Sequence, residues 1–144
     1  MEIKADLKNK KTLPKKTNDP FHDSFTDISY YQALFEDAPI GVVLADDKGI
    51  LIRVNKATCN MLGYSEDELI GMNIREISHP GHMKTNMVHR KKLIDGQIES
   101  FHMEKRYIHK DGSIVWGRLT SSILEEFEDG CTYLMAHLED ITDQ

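Results

Sequence analysis

Apolar and polar residues alternate along residues 98–123, and the pattern is interrupted at Asp111-Gly112. Alternation of this kind is typical of β-strands, and Asp-Gly is a frequent hairpin turn because glycine adopts positive φ without strain. We therefore predict a long antiparallel hairpin. Large apolar side chains such as Phe101 and Trp116 fall on both faces of the two strands, which indicates a sheet covered at least partly on both sides.

The remaining pattern predicts helices and three more strands. From Phe25 onwards, apolar residues recur at steps of three and four, which predicts an amphipathic helix that Pro39 limits. Residues 40–45 and 50–54 are two further strands, and a last strand closes the chain. Short helices and one longer helix, which contains Met83 and Met87, lie between the two groups of strands. This order favours an antiparallel sheet with its helices gathered on one face.

Several helix ends are marked by their capping residues. Asn55 precedes an apolar run that stops at Gly63, as expected of an N-cap and a C-terminal stop. Ser65 and Glu68 have the spacing of a capping box. His79-Pro80 requires an extended residue followed by a possible helix start.

Composition and charge restrict the class of protein. The 144 residues have a formal net charge of −6, which argues against nucleic acid as the main partner. Residues 1–24 are rich in lysine and predict a flexible tail, followed by a single domain at 25–144. No apolar stretch approaches the roughly 20 residues that span a bilayer, and the start lacks a signal-peptide core. Cys59 and Cys131 lack the spacing of metal ligands, so we expect a cytoplasmic protein without a metal site.

Five segments, taken in order, resemble the PAS domain family, in particular its S-box sensory type. They are "APIGVVLADDKGILIRVN", "NMLGYSEDELIGMNI", "HPGHM", "EKRYIHKDGSIVW" and "EDIT", and together they cover about residues 30–142. The resemblance implies an α+β fold with a five-stranded antiparallel sheet of order 2-1-5-4-3, and with short helices and one longer helix on one face. It also implies a sensing and dimerising module that acts on a C-terminal effector of the histidine kinase or diguanylate cyclase type, absent from this chain.

The family's strand alignment implies which side chains face the helices. They form an apolar set with one hydroxyl, which is the usual composition of a small-molecule pocket, although the same side chains also suit a filled core. The expected pocket residues are Ile74, Met83, Met87, Phe101, Met103, Leu119, Ser121, Leu134 and Ala136.

The opposite face of the sheet is expected to be apolar and to need a cover. We predict that the N-terminal helix docks there, within one chain or across a homodimer. The residues of this contact are Ile28, Tyr31, Leu34 and Phe35 of the helix, and Trp116, Tyr133 and Met135 of the sheet. Asp140 and Thr142 of the closing "EDIT" match the family's exit motif, which normally leads to the effector. We therefore favour a segment of a longer protein over a stand-alone module.

Cofactor and catalytic motifs are scarce. Flavin photosensors of the superfamily carry Asn-Cys-Arg where this chain has Asn73-Ile74-Arg75, so a flavin adduct is not expected. His82 and His89 are the candidate heme ligands. The chain has no nucleophile elbow, phosphate-binding glycine loop or H-E-x-x-H motif, so we expect no enzyme activity. Two alternatives to a ligand sensor stay open, namely a ligand-free dimerisation scaffold and a heme-based gas or redox sensor.

Overall fold

The computed structural model describes residues 27–124 and 130–143, so the predicted tail at 1–24 and the side chain of Ile28 lie outside the described residues. The α-helices are α1 (Asp27–Glu36), α2 (Lys56–Leu62), α3 (Glu66–Leu69) and α4 (Met83–Ile94), with 3₁₀ turns at Ile74–Ile77 and Pro80–His82. The strands are β1 (Gly41–Asp46), β2 (Leu51–Val54), β3 (Ser100–Ile108), β4 (Ile114–Leu124) and β5 (Tyr133–Asp140).

The five strands form one antiparallel sheet in the order β2-β1-β5-β4-β3, which confirms the predicted topology. β1–β2 and β3–β4 are hairpins, and the last strand in the chain is inserted between them. Ser121 of β4 lies opposite Ala136 of β5, and Leu119 lies opposite Leu138. Because directly opposed residues share one face of an antiparallel pair, these four side chains lie together on the helical side.

The turn between β3 and β4 is longer than the predicted two residues. The His109 amide donates to the carbonyl oxygen of Ser113 over 2.8 Å, so this pair closes the hairpin. Within the loop, the Asp111 carboxylate accepts hydrogen bonds from the amide and hydroxyl of Ser113, and Gly112 has φ 92°. The Asp111 side chain stabilises the loop in this longer form, while Gly112 supplies the left-handed residue.

The predicted helix caps are confirmed. The Asn55 side chain accepts from the Thr58 amide at the start of α2, and Gly63 ends that helix with φ 83°. The reciprocal bonds of a capping box join Ser65 and Glu68 at the start of α3. These contacts are local in sequence, which explains why the residue types alone revealed them.

The hydrophobic core lies between the helices and one face of the sheet. On the helical side, Leu69 and Leu93 are buried, and residues from every strand meet them. Buried aliphatic and aromatic core residues of the strands include Val43, Leu51, Val54, Phe101, Tyr107, Val115, Leu119, Leu134 and Leu138. The cavity described below lies between this inner face and α4.

The outer edge of β3 is paired with the segment that leads into α4. Ser78 forms a bridge with Tyr107, and the His79 amide donates to the carbonyl oxygen of Arg106 over 2.9 Å. The Arg106 amide in turn donates to His82 Nδ1 over 3.0 Å. These contacts satisfy backbone groups that an edge strand would otherwise expose, and they attach the start of α4 to the sheet.

None of the helices within the described ranges is both long enough and apolar enough to cross a membrane.

Candidate functional site

A cavity of about 50 Å³ lies between the inner face of the sheet and α4. Its wall is mostly aliphatic, but it also contains cationic and hydroxyl side chains. Six of the nine predicted pocket residues line it, namely Ile74, Phe101, Leu119, Ser121, Leu134 and Ala136. The sequence-based prediction missed Val43, Ala45, Gly49, Leu51, Asn86, Arg90, Lys105, Tyr107 and Leu138, which complete the wall.

The three predicted methionines do not line this cavity. Met87 is 51% exposed on the outer side of α4, so its assignment to the pocket was wrong. Met83 and Met103 are half-buried outside the lining, and Met103 packs against the core. The inward side of α4 instead carries Asn86, Arg90 and the buried Leu93, which have the i, i+4, i+7 spacing of one helix face. Apolar periodicity does not reveal this face of α4, because two of its three residues are polar.

Lys105 is the most unusual residue of the wall. Its side chain has no exposed surface, although lysine is almost never fully buried. Nζ donates a hydrogen bond to Ser78 Oγ over 3.0 Å and lies 4.7 Å from the ring centroid of Tyr107. Burial, together with the positive charge of Arg90, lowers the pKa of Lys105 to about 8. Among the described residues, no carboxylate opposes this shift.

Arg90 and Tyr107 add hydrogen-bond donors to the same wall. Arg90 Nε and the Tyr107 hydroxyl are buried and lack a hydrogen-bond partner among the described residues. Burial lowers the pKa of Arg90, while the nearby carboxylates of Asp46 and Asp47 act in the opposite direction. Burial also raises the pKa of Tyr107 far above the usual range, so this group stays a neutral phenol. The cavity therefore combines an aliphatic wall with hydrogen-bond donors, for which the wall supplies few acceptors.

The side chains that contact Trp116 on the outer face of the sheet are not those of the predicted helix. Trp116 remains 39% exposed, and its ring packs against His82, with 5.8 Å between the ring centroids, and against the Arg106 guanidinium. Tyr133 is 8% exposed and clusters with the buried Leu44. Met135, the third sheet residue of the predicted contact, is half-buried.

Helix α1 meets the sheet at the opposite edge from Trp116. The Arg53 guanidinium of β2 lies 4.6 Å from the ring centroid of Phe35, and Glu36 is 3.7 Å from the same guanidinium. Tyr31 is 42% and Leu34 53% exposed. The predicted docking of α1 over Trp116 is therefore wrong within one chain, because the cation–π contact and the ion pair with Arg53 hold the end of the helix at β2.

The exit motif is attached to β4. The amide of Trp116 donates to Thr142 Oγ1 over 3.1 Å, and the Ile141 amide donates to the carbonyl oxygen of Trp116. Asp140 Oδ1 accepts from both the amide and the hydroxyl of Thr142. The two predicted exit residues are thus adjacent, and they connect the end of β5 to the backbone of Trp116.

The two candidate heme ligands do not line the cavity. His82 Nδ1 accepts the Arg106 amide, and burial together with the charge of Arg106 lowers the pKa of this imidazole. The His89 ring stacks on Phe101 with 5.1 Å between centroids. A cavity of about 150 Å³ accommodates benzene, and the present one has about a third of that volume. The residues present therefore do not fit a heme.

The segment in the position of the flavin-adduct motif has a structural role. Asn73 Oδ1 accepts the amide of Arg75 and caps the 3₁₀ turn, and Asn73 Nδ2 donates to the carbonyl oxygen of Lys48. Ile74 contributes an aliphatic side chain to the cavity wall, where a flavin photosensor would need a thiolate.

Comparison with known proteins establishes the family. The model of the PAS domain family matches residues 39–143, so the chain belongs to the PAS domain family. The probable diguanylate cyclase DgcE of Escherichia coli is 32% identical over 115 residues, which cover 80% of this chain and 10% of that protein. The oxygen sensor protein DosP of the same species is 29% identical over 125 residues, covering 82% of this chain and 15% of DosP. The chain thus spans a small part of these signalling proteins.

A solved structure confirms the fold. The PAS domain of a Colwellia psychrerythraea protein superimposes with a TM-score of 0.72 at 24% identity, and the match covers 82% of this chain and 100% of that one.

Proposed function

We propose that this chain is a sensory PAS module that binds a small molecule in the cavity between the sheet and α4. The observation that carries the proposal is the pair of buried, unpartnered donors on the cavity wall, Arg90 Nε and the Tyr107 hydroxyl. Buried polar groups in proteins are almost always hydrogen-bonded, so a cavity with such donors favours a bound partner over a filled scaffold.

The route from cavity to exit runs along one edge of the sheet. Helix α4 lines the cavity with Asn86 and Arg90, and it begins directly after His82, which packs on Trp116. The Trp116 backbone in turn holds Thr142. A ligand that binds one position of α4 more tightly than another shifts the population between them. Such a shift moves the Trp116–Thr142 connection and changes the position of the chain that follows β5.

The output of this module is an effector domain elsewhere in a longer protein. The relatives named a diguanylate cyclase and an oxygen sensor support this part of the proposal, because the matched region is 10% and 15% of their length. We propose a diguanylate cyclase or histidine kinase type of effector, no catalysis by the PAS domain itself, and no heme. A homodimer through the exposed Tyr31 and Leu34 of α1 completes the proposal.

The test compares two adjacent serines on opposite faces of β4. Ser121 lines the cavity, whereas Ser122 is half-buried on the outer face. ¹⁵N-HSQC spectra of the folded chain are recorded with ethanol, acetamide, acetate and nitrate. We expect at least one compound to shift Ala136 and α4 resonances saturably, and we expect Ser121→Leu, but not Ser122→Leu, to abolish the shifts. If no compound moves the cavity resonances, or if Ser121→Leu responds like the parent chain, the ligand-free scaffold is the better description.

A further inference from the structure

The charge of Lys105 is not balanced by the protein itself. An ammonium group can donate to several acceptors, yet among the described residues the hydrogen-bond partner of Nζ is the neutral hydroxyl of Ser78. Arg90 lies on the same wall and adds a second positive charge to the surroundings of Lys105. Buried cations are normally paired with an acid, so the interior of this domain lacks an anion.

The acids near Arg90 do not supply that anion. The Asp46 carboxylate acts on Arg90, but its Oδ1 accepts the amides of Lys48 and Ile50 in the β1–β2 turn. Asp47 is exposed in the same turn. Neither carboxylate contributes to the environment of Lys105.

The rest of the wall sets the size and polarity of a partner. Leu119, Leu134, Ala136 and Leu138 line the cavity with aliphatic surface, which disfavours a purely ionic or strongly hydrated ligand. A water molecule needs at least about 10–15 Å³ of such volume, so a cavity of about 50 Å³ holds a ligand of on the order of four non-hydrogen atoms.

We propose that the cavity binds a small monocarboxylate, of the size of formate, acetate or propionate. The carboxylate accepts hydrogen bonds from Lys105 and Arg90, and the short apolar end lies against the aliphatic wall. Charge-assisted hydrogen bonds of this kind are short and strong, and the bound anion neutralises the buried positive charge. This inference rests on the proposed function and assigns the chemical class of its ligand.

The ligand panel separates charge, shape and polarity. Calorimetric and ¹⁵N-HSQC titrations of the full chain use acetate, propionate, the neutral isostere acetamide, nitrate and ethanol, all at constant ionic strength. We expect saturable binding of acetate and propionate, with acetamide and nitrate at least about tenfold weaker. Acetamide lacks the charge, and nitrate lacks the apolar end.

Matched lysine variants locate the site. Lys105→Met removes the buried charge, and Lys84→Met removes an exposed charge from α4. We expect the acetate Kd to rise about tenfold or more in Lys105→Met and to stay unchanged in Lys84→Met. If Lys105→Met does not fold, Lys105→Gln, which keeps a donor for Ser78, takes its place with the same expected loss.

Four results would overturn the inference. Equal acetate affinity in Lys105→Met and the parent chain excludes Lys105 as the anion-binding group. Nitrate binding as tight as acetate binding assigns the site to small anions in general. Binding of ethanol or acetamide without acetate leaves the proposed sensory function intact and refutes the carboxylate as the ligand. The absence of binding by every compound refutes both the sensory function and the carboxylate ligand.

Discussion

Lys105 Nζ and Ser78 Oγ are 3.0 Å apart, and their hydrogen bond joins the inner face of β3 to the segment that pairs with the edge of the same strand. Ser78 Oγ also donates to the carbonyl oxygen of Ile74 over 2.8 Å. The lysine charge is therefore held by one neutral group that is itself anchored in the 3₁₀ turn before α4. Changes of charge at Lys105 act on stability and on the cavity wall together.

Replacement of Lys105 by methionine should stabilise the ligand-free domain. Methionine matches the length of the lysine stem and removes the buried charge, so we expect the free energy of unfolding at pH 7 to rise by about 1–3 kcal/mol. Urea denaturation measures the change. Lys84→Met, on the exposed side of α4, should stay within about 0.5 kcal/mol of the parent. A less stable Lys105→Met would show that the hydrogen bond to Ser78 outweighs the cost of burying the charge.

The stability difference between the parent chain and Lys105→Met should shrink as pH rises. The folded pKa of Lys105 is about 8 and its ordinary value is 10.5, so between these values the unfolded chain binds more protons than the folded one. Unfolding then becomes less favourable with rising pH. The destabilisation caused by the buried charge of Lys105 is fully present below pH 8 and is relieved above it. The shift corresponds to about 3 kcal/mol over the whole range.

The comparison with Lys105→Met isolates this effect from other titrations. Burial raises the pKa values of Cys59 and Tyr107, and these groups lower stability at high pH in both proteins. The free energy of unfolding of the parent, measured by urea denaturation, should therefore rise relative to that of Lys105→Met between pH 7 and about pH 9.5. A constant difference across this range would mean that Lys105 titrates normally in the folded state.

Loss of the Asn55 side chain should strongly destabilise the domain. Asn55 is fully buried, its Oδ1 accepts from the amides of Val42 and Thr58, and its Nδ2 donates to the carbonyl oxygens of Phe35 and Ile40. Asn55→Ala removes the α2 cap and leaves buried backbone groups unpaired, so we expect a loss of about 2–4 kcal/mol.

The matched control for Asn55 is Asn60→Ala, because Asn60 is exposed on the same helix. Thermal and urea unfolding of Asn60→Ala should agree with the parent within about 0.5 kcal/mol. A similar loss in both variants would indicate that the buried hydrogen bonds of Asn55 do not determine the result.

Removal of the Thr142 hydroxyl should loosen the attachment of the exit motif. Thr142→Val keeps the shape of the side chain but removes the acceptor for the Trp116 amide, so exchange of that amide should accelerate about three- to tenfold. Hydrogen exchange followed by NMR measures this rate. Thr120→Val, on the outer face of β4, serves as the control and should leave the Trp116 amide unchanged. Unaltered exchange in Thr142→Val would exclude this hydroxyl as the coupling group.

A charge at Leu34 should disrupt association through α1. Leu34 is 53% exposed, and a carboxylate there makes burial in a dimer interface costly. Leu34→Asp should lower the weight-average mass in sedimentation equilibrium, whereas Gln32→Asp adds the same charge at another exposed position of α1 and should have little effect. Identical masses for Leu34→Asp and the parent would place any dimer contact elsewhere.

Much of the inner face follows from strand alternation. The period that placed Phe101 on the helical side also places Lys105 and Tyr107 there, and all three are buried. A charged residue in an inward position was the available signal for the cationic part of the cavity. The predicted pocket set did not include Lys105, because that set consisted of apolar residues and one hydroxyl. On α4, Asn86 and Arg90 escaped the prediction for the same reason.

The sequence by itself determined the local features and the family. The sheet order was implied by the resemblance of the ordered motifs to the PAS family. The helix caps at Asn55 and Ser65 and the alternation of side chains along the strands follow from residues close together in the chain. These features depend on backbone hydrogen bonding and on periodicity, which are properties of short segments.

Only the tertiary structure decided which groups share the cavity and which surface Trp116 meets. Lys105, Ser78 and Arg90 come from three separate elements, and the balance of charge around Lys105 exists only once those elements pack. Trp116 meets His82 because the edge of β3 pairs with the segment before α4. Desolvation and electrostatic pairing depend on distances between remote residues, so no pattern along the chain contains them.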